Sequence, residues 1–387
     1  MLIPYGRQDI TQRDIDAVVE TLQSSFLTQG PKVPEFEKNI CSYVGSQHAI
    51  AFNSATSALH ASCISLGLSE NDIFWTSPIS FVASANCGLY CGANVDFVDI
   101  DPVTNNMCPN ALERKLKKAK YAGKLPKVVI VVHLSGMPCD MKSIHSLSIE
   151  YKFKIIEDAS HAIGSEFNQQ KTGNCIYSDI AIFSFHPVKI ITTAEGGMAV
   201  TNNQKIYEDL SMLRTHGITR DINQMSKAPD GPWYYEQKIL GFNYRMTDLQ
   251  AALGITQLSR IDDFLKKRRV IKKQYDNELS NLPLSLPHDS SNANSALHLY
   301  IIRLKLDEID STHLEVFTEL RSKGIGVNLH YIPIYRQPYF KRFNFDLNDF
   351  VNSEQYYKEA ISIPMFSSMD EAQQDEVISS ITSVIGS

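Results

Sequence analysis

Seven short apolar runs, rich in β-branched residues, recur between His48 and Thr201. They are His48–Phe52, Ile73–Thr76, Val95–Asp99, Lys127–His133, Lys154–Glu157, Asp179–Ser184 and Gly197–Thr201. Most are nearly continuous rather than alternating, as strands buried on both faces should be. Helical patterns separate many of them, at Ala55–Leu66, Phe81–Cys91, Pro109–Tyr121 and Asp140–Tyr151. The arrangement predicts an α/β fold with a seven-stranded, mostly parallel sheet. After about residue 246 the pattern changes. Asp248–Leu279 reads as one long helix with a basic end, and Pro283–Ser295 as a polar connector. A strand at Leu297–Leu304, a helix at His313–Lys323, a strand at Val327–His330 and a last helix at Met369–Ile385 follow. For 387 residues this predicts a large α/β domain over 1–250 and a small α+β domain over 251–387.

Charge narrows the function. The net charge of −6 argues against coating nucleic acid or an acidic membrane surface. The basic run Lys266–Arg269 sits beside Asp262 and Asp263 without interleaved aromatics, so it reads as a solvated helix face. Between Asn39 and Val95 only Glu70 and Asp72 are charged. A membrane span is the first suspicion there, but Asn53–Ser57 and Thr76–Pro78 interrupt every apolar run long before it reaches the required length. Seven cysteines with no Cys-x-x-Cys pair, and an N-terminus lacking a basic-then-apolar pattern, predict a reduced, cytoplasmic protein. No histidines stand at zinc spacing, so no metal is expected. Phosphate-loop, nucleophile-elbow and dinucleotide fingerprints are absent.

Three segments remain as places for chemistry. Lys189 follows an apolar strand, precedes the Gly196-Gly197 turn, and has Phe185, Val188, Ile190 and Ile191 as neighbours. Poor solvation favours the neutral amine that a Schiff-base lysine needs. Asp158 ends the buried run Lys154–Glu157, where α/β folds place ligands. Such a carboxylate can cap a helix, or can hold a pyridine nitrogen protonated. Asn53-Ser54-Ala55-Thr56-Ser57 lies at a strand-to-helix junction, where N–H groups and hydroxyls bind an anion without a basic side chain. In that order, phosphate cradle, acid and strand-end lysine describe a pyridoxal phosphate site.

With these residues in hand, the chain resembles the sugar aminotransferases of the DegT/DnrJ/EryC1/StrS family. The resemblance runs from Phe26–Gly30 through the three segments to Gly241–Asp248 and His330–Pro333. It implies a fold-type I enzyme with pyridoxal 5'-phosphate as cofactor. Lys189 would be the catalytic Schiff-base lysine, Asp158 would pair with the pyridine nitrogen and His161 would lie near the ring oxygen. Ala55, Thr56 and Ser184 would hold the phosphate, and Phe81 would stack on the ring. Asn243 would reach the phosphate in a neighbouring subunit, implying a homodimer with shared sites. Tyr5, Ser25, Phe26, Leu27, Thr28, Asn328, Leu329, His330 and Tyr331 would line a nucleotide-sugar pocket. Within the family, Phe185–Lys189 and Pro232–Glu236 look most like members of the pseudaminic acid pathway. Those move the amino group of L-glutamate, leaving 2-oxoglutarate, to C4 of a UDP-4-keto-6-deoxy-N-acetylhexosamine. A relative acting at C3 or on a dTDP-sugar is the rival, and a dehydrase is disfavoured because such relatives carry His at the lysine position. The family's usual Gly is Ala at positions 55 and 194, and little consequence is expected of either change.

Overall fold

The computed structural model describes residues 2–386. Its main sheet collects β1 (His48–Phe52), β2 (Ile73–Thr76), β3 (Asn94–Phe97), β4 (Val128–Val132) and β5 (Lys154–Asp158). A small hairpin, β6 (Glu166–Phe167) and β7 (Gln170–Lys171), precedes the last two sheet strands, β8 (Ile180–Ser184) and β9 (Gly197–Thr201). The order across the sheet is β1-β9-β8-β5-β4-β2-β3. Only β9 runs against its neighbours; the other six strands are parallel to one another. The predicted seven-stranded, mostly parallel sheet is the one observed.

Continuous apolar strands are explained by what covers them. Along β4, Val128 and Ile130 enter a core on one face while Val129 and Val131 enter another, and all are fully buried. Helices α1 (Gln12–Gln23), α2 (Lys32–Val44), α3 (Ala55–Ser65), α4 (Ala83–Leu89), α5 (Pro109–Ala122), α6 (Met141–Tyr151) and α7 (Gln204–Arg214) surround the sheet. The segment between a short antiparallel pair, β10 (Ile218–Thr219) and β11 (Glu236–Gln237), carries exposed Ile222, Trp233 and Tyr235.

The predicted long helix Asp248–Leu279 is two helices, α8 (Asp248–Leu258) and α9 (Ile261–Leu279). The break serves the N-terminal segment. Arg260, at the junction, donates to Asp9 at 3.0 Å and to the buried Asp14 at 2.5 Å, while Thr256 donates to Asp14 at 2.6 Å. Beyond it, β12 (Leu284–Ser285), β14 (Tyr300–Leu304) and β15 (Ala360–Ile363) form a three-stranded sheet, and β13 (Ala293–Asn294) pairs with β6. That second sheet shares a core with α9, α10 (His313–Ser322) and α12 (Glu371–Ile385); α11 (Val351–Glu359) leads into β15. The predicted strand Val327–His330 is instead an irregular segment held by one bridge between Asn328 and Ser362. Asn328 turns its own side-chain oxygen onto the N–H of Leu329 at 2.8 Å, which takes that donor from any ladder.

Candidate active site

Because β9 is antiparallel, its start lies beside the ends of β1 and β8, with the end of β5 next to that of β8, and all four open onto one side of the sheet. A cavity of about 570 Å³ sits there. Its walls bring together Lys189, Asp158, His161, Ser184, Ala55, Thr56, Phe81, Tyr5 and Asn328–Tyr331, residues spread over more than three hundred positions of sequence.

Each group is positioned by local structure. Ser54 caps α3 by accepting from the N–H of Ser57 at 3.1 Å. Ala55 and Thr56 therefore open the first turn, whose N–H groups have no partner within the helix. Gly197 is pressed against this turn: a Cβ there would lie 2.4 Å from the nitrogen of Ala55. The family's Gly-to-Ala change at 194 matters more than the sequence suggests. Ala194 has φ +64°, left-handed backbone that a methyl strains by about 1 kcal/mol, held by its N–H bond to Thr192 Oγ1 at 2.9 Å.

Asp158 is the buried acid at the end of β5. Ser84 donates to one of its oxygens at 2.6 Å and Ser160 to the other at 2.6 Å, with Ser80 in turn 2.7 Å from Ser84. Lys189 is walled in by protein except where it faces the cavity. Burial lowers its pKa to about 8, with Asp158 pulling the other way. His161 accepts the N–H of Ser135 at Nδ1, 3.2 Å, so its Nε2 carries the hydrogen toward the Tyr331 hydroxyl at 3.1 Å. Burial, then the charge of Lys189, hold His161 well below the usual imidazole range, which fits that neutral tautomer. The same two causes lower His330 to about 3, and burial raises Tyr331.

These features fit pyridoxal phosphate. The cavity offers a donor-rich helix turn, a buried carboxylate fixed at one orientation, a poorly solvated amine and the exposed aromatic face of Phe81. Among the described residues, no group of three or more side chains could hold a metal ion.

Asn243 and the Ser25–Thr28 segment do not line the cavity of their own chain. Both are exposed. Asn243 is bridged to Thr215 and Thr28 to Thr247, so the two lie on strands of surface backbone anchored beside α8 and α7. Sequence reasoning missed Ser84, Ser160, Glu195 and Gly196. Ser160 stands two residues from Asp158, a spacing that allows a local side-chain turn. Ser84 is 74 residues away and gave no signal.

Comparison with known proteins completes the picture. Residues 8–382 match the DegT/DnrJ/EryC1/StrS aminotransferase family. The UDP-4-amino-4,6-dideoxy-N-acetyl-beta-L-altrosamine transaminase of Campylobacter jejuni is 39% identical, over 95% of this chain and 94% of that one. PseC of Helicobacter pylori, an aminotransferase involved in the biosynthesis of pseudoaminic acid, superposes with TM-score 0.90 at 29% identity, covering 100% of both chains. Spr1654 of Streptococcus pneumoniae, solved in PMP, PLP and apo forms, is also similar; its PMP form gives TM-score 0.89 at 29% identity, over 99% of this chain and 98% of that one.

Proposed function

Since the chain belongs to the DegT/DnrJ/EryC1/StrS aminotransferase family and is a pyridoxal-phosphate-dependent sugar aminotransferase, we propose that it transfers the amino group of L-glutamate to C4 of a UDP-4-keto-6-deoxy-N-acetylhexosamine. The product is then UDP-4-amino-4,6-dideoxy-N-acetyl-β-L-altrosamine. The observation that carries the chemistry is the half-buried, poorly solvated Lys189 amine facing the same cavity as the Asp158 carboxylate, which two serines hold. The finer substrate assignment rests on the Campylobacter and Helicobacter relatives.

When bound, the cofactor supplies an electron-accepting ring that carries the amino group between the two substrates. The chain's residues do the rest. Lys189 Nζ takes the α-proton of glutamate and later returns a proton to C4 of the sugar. Asp158, with both oxygens already held by serines, would pair with the pyridine nitrogen and keep it protonated. Ala55, Thr56 and Ser184 hold the phosphate, Phe81 covers the ring face, and the neutral His161 stands by the ring oxygen. Tyr5 and Asn328–Tyr331 form the wall that faces the sugar, and Ser25–Thr28 extends the nucleotide pocket from the surface of a second copy. Asn243 reaches the phosphate in that partner's site. Exposed Phe26, Leu27, Trp233 and Leu240 give the contact its apolar area. The assembly works in the cytoplasm. Among the described residues, no helix is long and apolar enough to cross a membrane.

The test is a panel of UDP- and dTDP-linked 3-keto and 4-keto sugars with glutamate, the amino product being identified by NMR. Amination at C4 of the UDP-4-keto-6-deoxy-N-acetylhexosamine is expected. Preferential amination of a dTDP-sugar, or at C3, overturns the substrate assignment. Failure of glutamate to convert the cofactor to its amino form overturns the donor.

A further inference from the structure

A fully buried carboxylate holds the surface segment that the proposed function gives to a second copy's site. Asp248 opens α8, whose own first turn is already capped by Thr247 and Gln250. Its side chain serves another element instead. One oxygen accepts the N–H of Gly30 at 3.1 Å and the other the N–H of Lys32 at 3.2 Å. Lys32 begins α2, and a helix start leaves N–H groups without partners inside the helix. Pro31, at the cap position, has no side-chain oxygen to offer. Asp248 supplies that acceptor from 216 positions along the chain, with the negative charge a helix start favours.

The backbone reinforces the grip. The N–H of Asp248 donates to the carbonyl of Leu27 at 3.0 Å, and Thr247 is bridged to Thr28. Gln29 has φ +55°, left-handed backbone that turns the chain toward the carboxylate. Gly30 leaves room for it: a Cβ there would lie 2.3 Å from Asp248 Oδ2 and 2.4 Å from Phe26 Cβ. Phe26 and Leu27 remain exposed on the outer side of the turn. The stretch leading to Asp248 also carries Asn243 and is itself fixed. Asn53 donates its N–H to the carbonyl of Tyr244 at 2.8 Å, and Phe52 is bridged to Arg245. Asp248 does not line the cavity of its own chain.

We propose that Asp248 is a positioning residue for the nucleotide end of the partner's site, holding Ser25–Thr28 in its binding shape before the sugar nucleotide arrives. The inference rests on the reading that this segment extends the nucleotide pocket of a second copy. A loop ordered in advance does not have to be ordered on binding, so the benefit falls on nucleotide-sugar affinity and not on the chemistry at Lys189. Asp248→Asn keeps the shape of the side chain but turns an NH2 donor toward one of the two N–H groups, which releases one end of the loop.

The experiment uses the holoenzyme. In wild type, saturating UDP is expected to slow amide hydrogen exchange in a peptide spanning residues 24–32 about tenfold. Unchanged exchange there removes the nucleotide from this loop and overturns the underlying reading together with the proposal. Asp248→Asn is then expected to raise KM for the UDP-keto-sugar about tenfold, with the glutamate half-reaction within about twofold of wild type. Gly30→Ala, which crowds the same carboxylate, is expected to give the same split. Where UDP protects the loop, an unchanged sugar KM in these variants overturns the proposal alone. So does an equal loss in the glutamate half-reaction, which is what general weakening of the fold produces. Mixing Asp248→Asn with Lys189→Ala gives hybrid dimers whose one working site takes its loop from the chain with intact Asp248. About half the working sites should then show the wild-type KM, and a uniformly raised KM overturns action on the partner's site.

Discussion

A single carboxylate shows how little of a site is one residue. Asp158 could be read as an acid at a strand end, but its two serine donors decide what it does. Ser84 and Ser160 fix the carboxylate plane before any cofactor arrives. Its charge also favours the ammonium form of Lys189, against burial, and their balance leaves that amine near 8. In apoenzyme, the reaction of Lys189 with an aldehyde should rise with pH through about 8, since only the neutral amine attacks. Asp158→Asn removes the charge that supports the ammonium, so the midpoint should move to lower pH. The same variant should lose at least about a hundredfold in glutamate half-reaction rate, because it cannot keep the ring nitrogen charged. A pH titration of apoenzyme labelling and a stopped-flow half-reaction check both parts. An unchanged midpoint would sever Asp158 from Lys189. At this scale Lys189 and Asp158 were legible in the sequence because their neighbours along the chain are apolar. Ser84 was not, because nothing local distinguishes it from the other serines of a serine-rich stretch.

At the scale of elements, the strand-to-helix junctions carry the site. The start of β9 lies so close to the first turn of α3 that only glycine fits at 197; the neighbouring atoms are backbone and cannot rotate away. Gly197→Ala should therefore push the phosphate-binding turn off β9. Pyridoxal phosphate affinity is expected to fall about tenfold or more, a loss of one to two kcal/mol, with the far-UV circular dichroism retained. Titration of the apo variant with the cofactor reads it, and wild-type affinity would show that the turn is not where the phosphate binds. Sequence periodicity found fourteen of the elements to within a few residues, where burial imposes period 3.6 or a continuous apolar run. It merged α8 with α9 because the pattern of apolar residues continues through Ser259 and Arg260. The break comes from Asp9 and Asp14, about 250 residues away. The expected strand at Val327–His330 failed for a local reason, a side-chain oxygen competing for a backbone donor.

For the whole molecule, the cavity of one chain leaves five expected residues on the outside: Ser25, Phe26, Leu27, Thr28 and Asn243. A two-fold partner that places them in the other copy's site makes a sharp prediction. Lys189→Ala and Asn243→Ala should each be impaired alone. In a hybrid dimer, one site receives intact Lys189 from one chain and intact Asn243 from the other. Random mixing makes about half the dimers hybrid, so about a quarter of wild-type sites should return. No regain on mixing, with hybrid formation verified by mass, would mean that Asn243 serves no site but its own chain's. What the sequence determined by itself was the class of sheet, the three chemistry-bearing segments and the cofactor they suit, because burial and helix-end chemistry are written in neighbouring residues. Only the tertiary structure decided that these segments share one edge, which serines hold Asp158 and where the helices break. Those are contacts between positions far apart in the chain, and the free energy that brings them together belongs to the packed core rather than to any stretch of sequence.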